Sequence, residues 1–306
     1  MSGTFADPTL PAHRDRLLAF LQGAFGAKVD AIIGEPNLIT AGGGMQNRNY
    51  ACTVRVHGSA IDCVLRCQPD QIMEWRRDWD YYDLEREFRV LRELPALGLS
   101  VPTPDAFGLS DALGTPAFVM HRLPGEPMSH TPEAALLPAY ARLVAETATI
   151  PGTASEWLHA HLVHRTNAHL IEWAEAKSRD LAGHALRDYT LSWLRDHRPT
   201  SRPLTVAHGD PNPGNVLVAD GRITGLVDWE FACLTDDPLA ALMRVTWIYH
   251  SEHAREAFCS AMGRQVGDLT WHMALGLFRE LFVIRHGDRA AREAELAAVT
   301  GFASRP

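Results

Sequence analysis

The stretch AHGDPNPGNVLV, from Ala207 to Val218, places two polar residues around a turn and then continues as an apolar run. Two prolines, an asparagine and a glycine separate Asp210 from Asn215, and these residue types force the backbone to turn. The apolar run that follows predicts a strand. We therefore expect the side chains of Asp210 and Asn215 to be held on a rigid loop where a strand begins, and a simple linker would not need such rigidity.

Beyond this loop the chain reads as a hairpin with an Asp-Gly turn, and the hairpin ends at a second carboxylate, Asp228. The loop and the strand end would bring Asp210, Asn215 and Asp228 together. Carboxylate and amide oxygens are hard ligands that suit Mg²⁺ bound to a phosphate. Each aspartate could instead be a turn former or a cap. That alternative explains each residue separately, but it does not explain the order in which the three occur.

The helix predicted from about Asp80 to Leu97 carries one carboxylate on its apolar side. Glu87 lies three residues before Val90 and four before Leu91, so the helical repeat turns its side chain inwards. The neighbouring charged residues, Arg86 among them, fall on the opposite face and are expected to be solvated. An uncompensated buried carboxylate costs about 3–5 kcal/mol, so this glutamate requires a cationic partner inside the fold.

Arg66, on the apolar strand predicted at 61–67, is the candidate partner of Glu87. A strand side chain of this kind can face either a packed helix or a cleft. A Glu–Arg pair beside a cleft would direct positive charge at a ligand. A structural ion pair without a ligand is the alternative that the residues alone leave open.

Three successive glycines, Gly42 to Gly44, stand between two predicted strands. Backbone amides without a neighbouring Cβ can close over an anion, which makes this segment a candidate phosphate-binding loop. The simpler alternative is a flexible hairpin tip.

The predicted elements fall into two parts with a boundary near residue 121. The first part combines helices and short strands, predicted at 14–25, 38–41, 50–56, 61–67, 80–97 and 117–120. The second part is mainly helical, with helices predicted at 133–148, 155–176 and 185–196 and a hairpin at 215–229. We therefore predict an α+β fold of two domains, with the boundaries 1–120 and 121–306.

The composition restricts the classes of partner. Of the 306 residues, 46% are hydrophobic and 22% are charged, and the net charge of −8 is spread along the chain without a basic block. This distribution argues against nucleic acid or a membrane as a partner and favours a small molecule. No apolar run approaches the roughly 18 residues of a membrane span, and the first residues lack a secretion signal, so we expect a cytoplasmic protein. The five cysteines show no paired spacing, which predicts reduced, packed thiols.

The loop and the hairpin resemble those of a known family. HGDPNPGN at 208–215 and LVDWE at 226–230 are similar to the HGDxxxGN and (I/L)DWE blocks of the aminoglycoside phosphotransferase family, a branch of the protein-kinase-like fold. The resemblance runs from about Leu38 to Ala241. It implies a bilobal fold, with an N-terminal nucleotide-binding lobe of antiparallel sheet plus helix and a mostly helical C-terminal lobe for catalysis and substrate binding. Arg66 stands where most kinases have lysine, in a V-L-R pattern that resembles the kinase-like domain of acyl-CoA dehydrogenase family members 10 and 11.

The resemblance also implies the roles of individual residues. Asp210 is similar to the catalytic residue that accepts the proton of the substrate hydroxyl, and Asn215 and Asp228 are similar to metal ligands. The cofactor-binding positions that the resemblance implies are Gly43, Gly44, Asn47, Arg66, Glu87, Met120 and Leu123. The implied cofactors are ATP and Mg²⁺. The loop around the glycines departs from the G-x-G-x-x-G spacing of protein kinases.

The function that the resemblance implies is transfer of the γ-phosphate of ATP to a hydroxyl of a small molecule. One alternative is a catalytically inactive nucleotide-binding module with a regulatory role. Another is a metal-dependent phosphoester hydrolase, which would leave the glycine loop and Glu87 without a role. Glu230, two residues after Asp228, is a candidate auxiliary metal group. Basic residues beyond Pro238, such as Arg244, and the acidic pair Asp236 and Asp237 just before that proline leave the class of acceptor open.

Overall fold

The computed structural model describes residues 5–26, 29–39, 47–68, 84–99, 103–128, 134–285 and 287–302. It divides into two compact units, each assembled from several stretches of chain. Unit 1 consists of Met1–Met73, Asp83–Met128 and Gly214–Glu230, and unit 2 of Glu74–Tyr82, Ser129–Pro213 and Phe231–Pro306. The predicted domains, 1–120 and 121–306, are continuous in sequence, and that boundary stays a prediction. The hairpin that carries Asn215 and Asp228 belongs to the same unit as Arg66.

Unit 1 is built on a five-stranded antiparallel sheet. In chain order its strands are β1 (Val29–Leu38), β2 (Arg48–Val56), β3 (Ser59–Cys67), β4 (Ala106–Ser110) and β5 (Ala117–His121), and their spatial order is β1-β2-β3-β5-β4. A two-residue turn with positive φ at both His57 and Gly58 joins β2 to β3. The strands predicted at 50–56, 61–67 and 117–120 are confirmed. β1 begins earlier than the strand predicted at 38–41, whose last two residues lie outside the described residues.

The two faces of β3 have different environments. Cys63, Leu65 and Cys67 belong to a buried apolar cluster that includes the inner side of helix α1 (Arg14–Phe25). Because side chains alternate across a strand, Arg66 faces the other side of the sheet. Helix α2 (Leu84–Glu93) supplies the partner of Arg66 on that side. The sheet therefore separates the apolar cluster beside α1 from the face that carries Arg66.

The remaining strands are short and form two three-stranded sheets. In chain order they are β6 (Glu126–Pro127), β7 (Val163–His164), β8 (Thr205–Ala207), β9 (Val216–Ala219), β10 (Arg222–Leu226) and β11 (Cys233–Thr235). β10, β9 and β6 form one sheet in unit 1, and β7, β11 and β8 form the other in unit 2. Asp220 and Gly221 both have positive φ and join β9 to β10 by the tight turn that the Asp-Gly pair predicted.

Helices make up most of unit 2. They are α3 (Leu137–Thr147), α4 (Glu156–His161), α5 (Asn167–Lys177), α6 (Ala185–Asp196), α7 (Glu252–Ala261), α8 (Thr270–Phe278) and α9 (Arg289–Thr300). The helix predicted at 185–196 is confirmed, but the single helix predicted at 155–176 is wrong. The chain leaves α4 at Leu162, runs through β7 and begins α5 at a new cap, where the Thr166 hydroxyl accepts a hydrogen bond from the amide of His169.

The architecture is an α+β fold, as predicted. An antiparallel sheet with helices forms most of unit 1, and helices dominate unit 2. All five cysteines are free and buried, as expected of reduced, packed thiols. Within the described ranges, no helix combines the length and the apolar character that crossing a bilayer requires.

Candidate active site

Arg66 on β3 and Glu87 on α2 form a buried ion pair. The Nε atom of Arg66 donates a hydrogen bond of 2.7 Å to Oε2 of Glu87. Only 4% of Arg66 and 1% of Glu87 are exposed to solvent. The predicted pairing of the inward-facing glutamate with Arg66 is thus confirmed. Because both charges are removed from water, each depends on the other, and the loss of one leaves an uncompensated buried charge.

The guanidinium group of Arg66 also reaches two carboxylates beyond the end of β10. Its Nη2 atom contacts Oδ1 of Asp228 and lies 3.2 Å from Oε2 of Glu230. Its Nη1 atom lies 3.4 Å from the side-chain oxygen of Asn49 on β2. A planar group with several fixed donors can satisfy partners on three elements at once, whereas a lysine ammonium is a single point charge. The arginine therefore fits this position better than the lysine of most kinases would.

Glu230 connects further parts of unit 1. Its carboxylate accepts a hydrogen bond of 3.0 Å from the side-chain amide of Asn47, in addition to the bond from Arg66. Its backbone carbonyl accepts a hydrogen bond of 2.7 Å from Nη2 of Arg86. The expectation that Arg86 is solvated is wrong, because its side chain is buried and bonded. The direction of Cβ on a helix does not limit where a long, flexible side chain places its charged end.

The surroundings of Glu87 oppose its charged form. Burial is the largest effect and raises the pKa of Glu87 to about 7. The charge of Arg66 and the hydrogen bond from Arg66 lower this pKa, and the neighbouring Asp228 raises it. The Arg66 guanidinium is therefore the main group that keeps Glu87 ionised near neutral pH.

A pocket of about 150 Å³ opens beside this network, and its lining belongs entirely to unit 1. The predicted site residues in the lining are Arg66, Met120, Leu123, Asn215 and Asp228. Apolar side chains complete it, from Ile39, Val64, Leu217 and Val227. Pockets that enclose a whole drug-sized ligand measure about 300–1,000 Å³. This one has room to enclose one part of a nucleotide.

The segment that follows β5 is held on both sides of Leu123. The amide of Arg122 donates a hydrogen bond of 2.9 Å to the carbonyl oxygen of Asp62. The hydroxyl of Thr224 donates a hydrogen bond of 2.5 Å to the carbonyl oxygen of Pro124. These bonds fix the backbone on either side of Leu123, one of the cofactor-binding positions that the resemblance implies.

The same pocket contains oxygen ligands for a divalent cation. Asn215 and Asp228 both line it, and 27% of the Asp228 side chain is exposed. One amide oxygen and one carboxylate oxygen suit Mg²⁺, which keeps several waters when bound to protein. Oxygen atoms of Glu87, Asp228 and Glu230 also lie within 4.8 Å of one another. Arg66 binds all three of these carboxylates, but Glu87 and Glu230 are almost fully buried, so Asp228, which is partly exposed, is the carboxylate best placed to bind a cation together with Asn215.

Asp210 belongs to unit 2, on a loop with a constrained backbone. Gly209 has a φ of +81°, and a Cβ atom there would lie 2.0 Å from the carbonyl oxygen of Phe231, so only glycine fits. The amide of Asp210 donates a hydrogen bond of 3.3 Å to Nδ1 of the buried His208. The Asp210 carboxylate accepts a hydrogen bond from the side-chain amide of Asn212. Hydrogen bonds on both sides of Asp210 thus hold the loop.

Two predicted site residues, Gly43 and Gly44, lie outside the described residues, so their contact with a phosphate stays a prediction. Asn47 is described, and it is 4% exposed and bonded to Glu230. The roles of the other site residues also stay predictions.

A comparison with families of known proteins identifies the group to which the chain is related. The model of the phosphotransferase enzyme family (APH) matches residues 38–274, a range that includes both the Arg66 network and the Asp210 loop. The chain belongs to the phosphotransferase enzyme family. The resemblance that the HGDPNPGN and LVDWE motifs carry is confirmed.

Individual relatives agree with this assignment. The homoserine kinase of Sinorhizobium medicae (strain WSM419) is 31% identical over 164 residues, which are 49% of this chain and 48% of that protein. The chain thus spans about half the length of this curated relative. The closer likeness to acyl-CoA dehydrogenase family members 10 and 11 gains no support from these comparisons.

Solved structures of other phosphotransferases share the fold. Macrolide 2′-phosphotransferase MphH from Brachybacterium faecium is 24% identical with a TM-score of 0.59, and the match covers 96% of this chain and 100% of that one. APH(2″)-IIa, solved as a ternary complex with streptomycin and ATP, is 13% identical with a TM-score of 0.57, over 88% and 92% of the two chains. These likenesses confirm the predicted protein-kinase-like fold of the phosphotransferase enzyme family.

Proposed function

We propose that this family member is an ATP- and Mg²⁺-dependent kinase that transfers the γ-phosphate of ATP to a hydroxyl of a small molecule. The observation that carries the proposal is the environment of Arg66. This arginine is held by the buried Glu87 and lines a pocket that also contains Asn215 and Asp228. The relatives are named as a homoserine kinase and as macrolide and aminoglycoside phosphotransferases, and one of them was solved with ATP.

Each of the predicted site residues has its own role in the proposed phosphoryl transfer. ATP supplies the transferable group, and Mg²⁺, when bound, neutralises part of the charge on the phosphates. Arg66 would bind the α- and β-phosphates through its guanidinium nitrogens. Asn215 and Asp228 would hold the cation with two oxygen ligands. Asp210 would orient the acceptor hydroxyl and take its proton as the oxygen bonds to the γ-phosphorus, while the bond from that phosphorus to the β–γ bridging oxygen breaks and ADP leaves.

The apolar part of the pocket suits the base of the nucleotide. Val64, Leu217 and Val227 supply apolar surface, as in most pockets for planar ligands. Met120 is in β5, paired with Val64 of β3, and Leu123 follows β5, and backbone groups at these two positions could bond to adenine. This arrangement supports ATP as the phosphate donor.

A nucleotide-binding module without catalysis is a second candidate, and one observation favours it. Arg66 binds Asp228, so a metal ion at Asp228 would compete with a buried cation. If the chain is such a module, ATP should bind equally well with and without Mg²⁺. If it is a kinase, Mg²⁺ should strengthen ATP binding, and the gain should appear as a larger increase in the melting temperature.

The deciding experiment measures phosphate transfer from ATP to a panel of alcohols, with homoserine, streptomycin and a macrolide among them. We expect at least one phosphorylated product with the wild-type protein. Asp210→Asn should lower turnover by about 10²–10⁴-fold, because a general base supplies a factor of this size, while ATP binding stays nearly intact. Asp220→Asn is the matched control, since Asp220 is exposed at the β9–β10 turn and asparagine tolerates its positive φ.

The possible results separate the candidates. Unchanged turnover in Asp210→Asn would refute the role of Asp210. ATP binding without transfer to any acceptor would favour the regulatory module. A protein that binds no nucleotide at all would contradict both.

A further inference from the structure

Two side-chain hydrogen bonds hold the loop around Asp210. The side-chain amide of Asn212 donates to Oδ1 of Asp210, and the hydroxyl of Tyr140 donates to the carbonyl oxygen of Pro211. All four residues belong to unit 2. The Pro211 carbonyl is part of the peptide group that connects Pro211 to Asn212. The two bonds therefore hold neighbouring parts of the same segment, which runs from Asp210 to Asn212.

Tyr140 is a rigid donor. It lies on α3, is fully buried, and its ring contacts Phe258 edge-on with ring centroids 5.0 Å apart. The ring of Trp247 lies nearly parallel to it, with centroids 6.4 Å apart. Burial, followed by the charge of Asp210, raises the pKa of Tyr140 well above its ordinary value. The phenol thus stays protonated and keeps donating to Pro211.

Asn212 acts on the carboxylate directly. A carboxylate that serves as a general base must present an oxygen to the acceptor hydroxyl in a fixed direction. Rotation about the bond between Cβ and Cγ of Asp210 would move both oxygens away from that direction. The hydrogen bond from Asn212 to Oδ1 opposes this rotation, and Asn212 can make it only while its own backbone is held in place.

We propose that Asn212 and Tyr140 are positioning residues for Asp210. Asn212 fixes the orientation of the Asp210 carboxylate, and Tyr140 fixes the peptide from which Asn212 reaches it. This inference rests on the proposed phosphotransferase function. It adds to that function a pair of residues that affect the rate of transfer through Asp210.

The test compares kcat and KM in variants that keep the shape of each side chain. Asn212→Leu removes the amide donor, and we expect kcat to fall by about 10- to 100-fold, as a displacement of about 1 Å in a reacting group does. Tyr140→Phe removes only the hydroxyl, and we expect a fall of about 10-fold. The KM for ATP should stay within about twofold, because the pocket residues of unit 1 are unchanged. Rates are expressed per nucleotide-binding site, so that loss of folded protein does not mimic a loss of kcat.

Three further variants separate positioning from a merely structural role. Asn212→Gln retains an amide donor and should be faster than Asn212→Leu. The Asn212→Leu/Tyr140→Phe double variant should lose less than the product of the two single effects, because both act through one carboxylate. Asn37→Leu is the matched control, since Asn37 is an exposed asparagine that bonds to the carbonyl of Glu35 on its own strand.

The outcomes are distinguishable from a failure of the proposed function. A wild-type protein that transfers phosphate to no alcohol would refute that function. With an active wild type, an Asn212→Leu variant of normal kcat, or a Gln variant no faster than Leu, would overturn the inference. So would effects that multiply fully in the double variant. If Tyr140→Phe does not fold, the ratio of kcat between Asn212→Gln and Asn212→Leu tests the inference by itself.

Discussion

Replacing Arg66 by methionine tests whether the buried ion network holds unit 1 together. Methionine keeps much of the length of the side chain and removes its charge and its donors. Arg66 is bonded to Glu87 and Glu230, whose side chains are 1% and 5% exposed. It also contacts Asp228, whose side chain is 27% exposed. Because water screens this charge, the contact with Asp228 should contribute less to the free energy of unfolding than the two buried contacts.

The two buried partners determine the size of the effect. Removing one member of a buried ion pair costs about 3–5 kcal/mol, because the remaining charge is left without compensation. We therefore expect Arg66→Met to lower the free energy of unfolding by about 3–5 kcal/mol at pH 8. Arg89→Met is the matched control on the same helix as Glu87. Its pair with Glu85 is exposed on both sides, so its loss should cost about 0.5 kcal/mol or less.

The loss of stability in Arg66→Met should also depend on pH. The wild-type protein has a Glu87 pKa of about 7, and Arg66 is one of the groups that lower it. Without Arg66 this pKa rises further. A group whose pKa is raised by folding contributes stability at low pH and loses it as the pH rises through the folded-state value. The defect of Arg66→Met should therefore be smaller at pH 5, where Glu87 is protonated, than at pH 8, where both buried partners of Arg66 matter.

Urea unfolding at pH 5 and pH 8 measures both quantities. The slope of the free energy against urea should match that of the wild type, so that the midpoint reports stability. The Arg66→Met/Glu87→Gln double variant should recover about 0.5–3 kcal/mol of the loss, the usual coupling between contacting residues. A loss below about 1 kcal/mol at pH 8, or the same loss at both pH values, would refute the reasoning.

Three further predictions follow from other contacts. In the wild-type protein, the free energy of unfolding should fall as the pH rises from about 4.5 to about 7, because folding raises the pKa of Glu87. The difference between the urea midpoints of the wild type and of Glu87→Gln, measured across this pH range, isolates the contribution of Glu87. Gly209→Ala should abolish soluble folded protein or lower the melting temperature by many degrees, since its Cβ would overlap the carbonyl oxygen of Phe231; a normal melting temperature would contradict this steric conflict. Arg86→Met should cost about 1–3 kcal/mol in urea unfolding by leaving the carbonyl of Glu230 without its buried donor, and a change below about 0.5 kcal/mol would show that water replaces it.

The pairing of Arg66 with Glu87 could be predicted because two local rules lead to it. The helical repeat places Glu87 among apolar residues, and a buried carboxylate requires a cation. Arg66 was a suitable candidate because it interrupts an apolar strand. The Asp220–Gly221 turn could be predicted for a similar reason, since few residue pairs accept positive φ at both positions.

Other contacts depend on the fold and leave little trace in the sequence. Arg86 looks solvated on a helical wheel, and only the position of the Glu230 carbonyl makes it a buried donor. Asn49 is one polar residue on a strand, and its contact with Arg66 follows from the pairing of β2 with β3. The single helix predicted at 155–176 joined two apolar stretches across the mainly polar residues 164–169, where the structure has the cap of α5. Tertiary packing decides these cases over local preference.

In the proposed kinase, Arg66 must accept phosphate as well as hold Glu87, and its contacts suit both tasks. Its Nε atom is committed to Glu87, which is almost fully buried, so this bond is costly to break. Its Nη2 atom contacts Asp228, whose partial exposure makes that contact cheaper to exchange, and also lies 3.2 Å from Oε2 of the buried Glu230. A phosphate that approaches from the pocket would therefore replace the contact with Asp228 at a lower cost than the bonds to the two buried glutamates. A lysine bonded to Glu87 would have to share one ammonium between both tasks, whereas the guanidinium group can keep Nε on Glu87 while Nη2 exchanges Asp228 for a ligand.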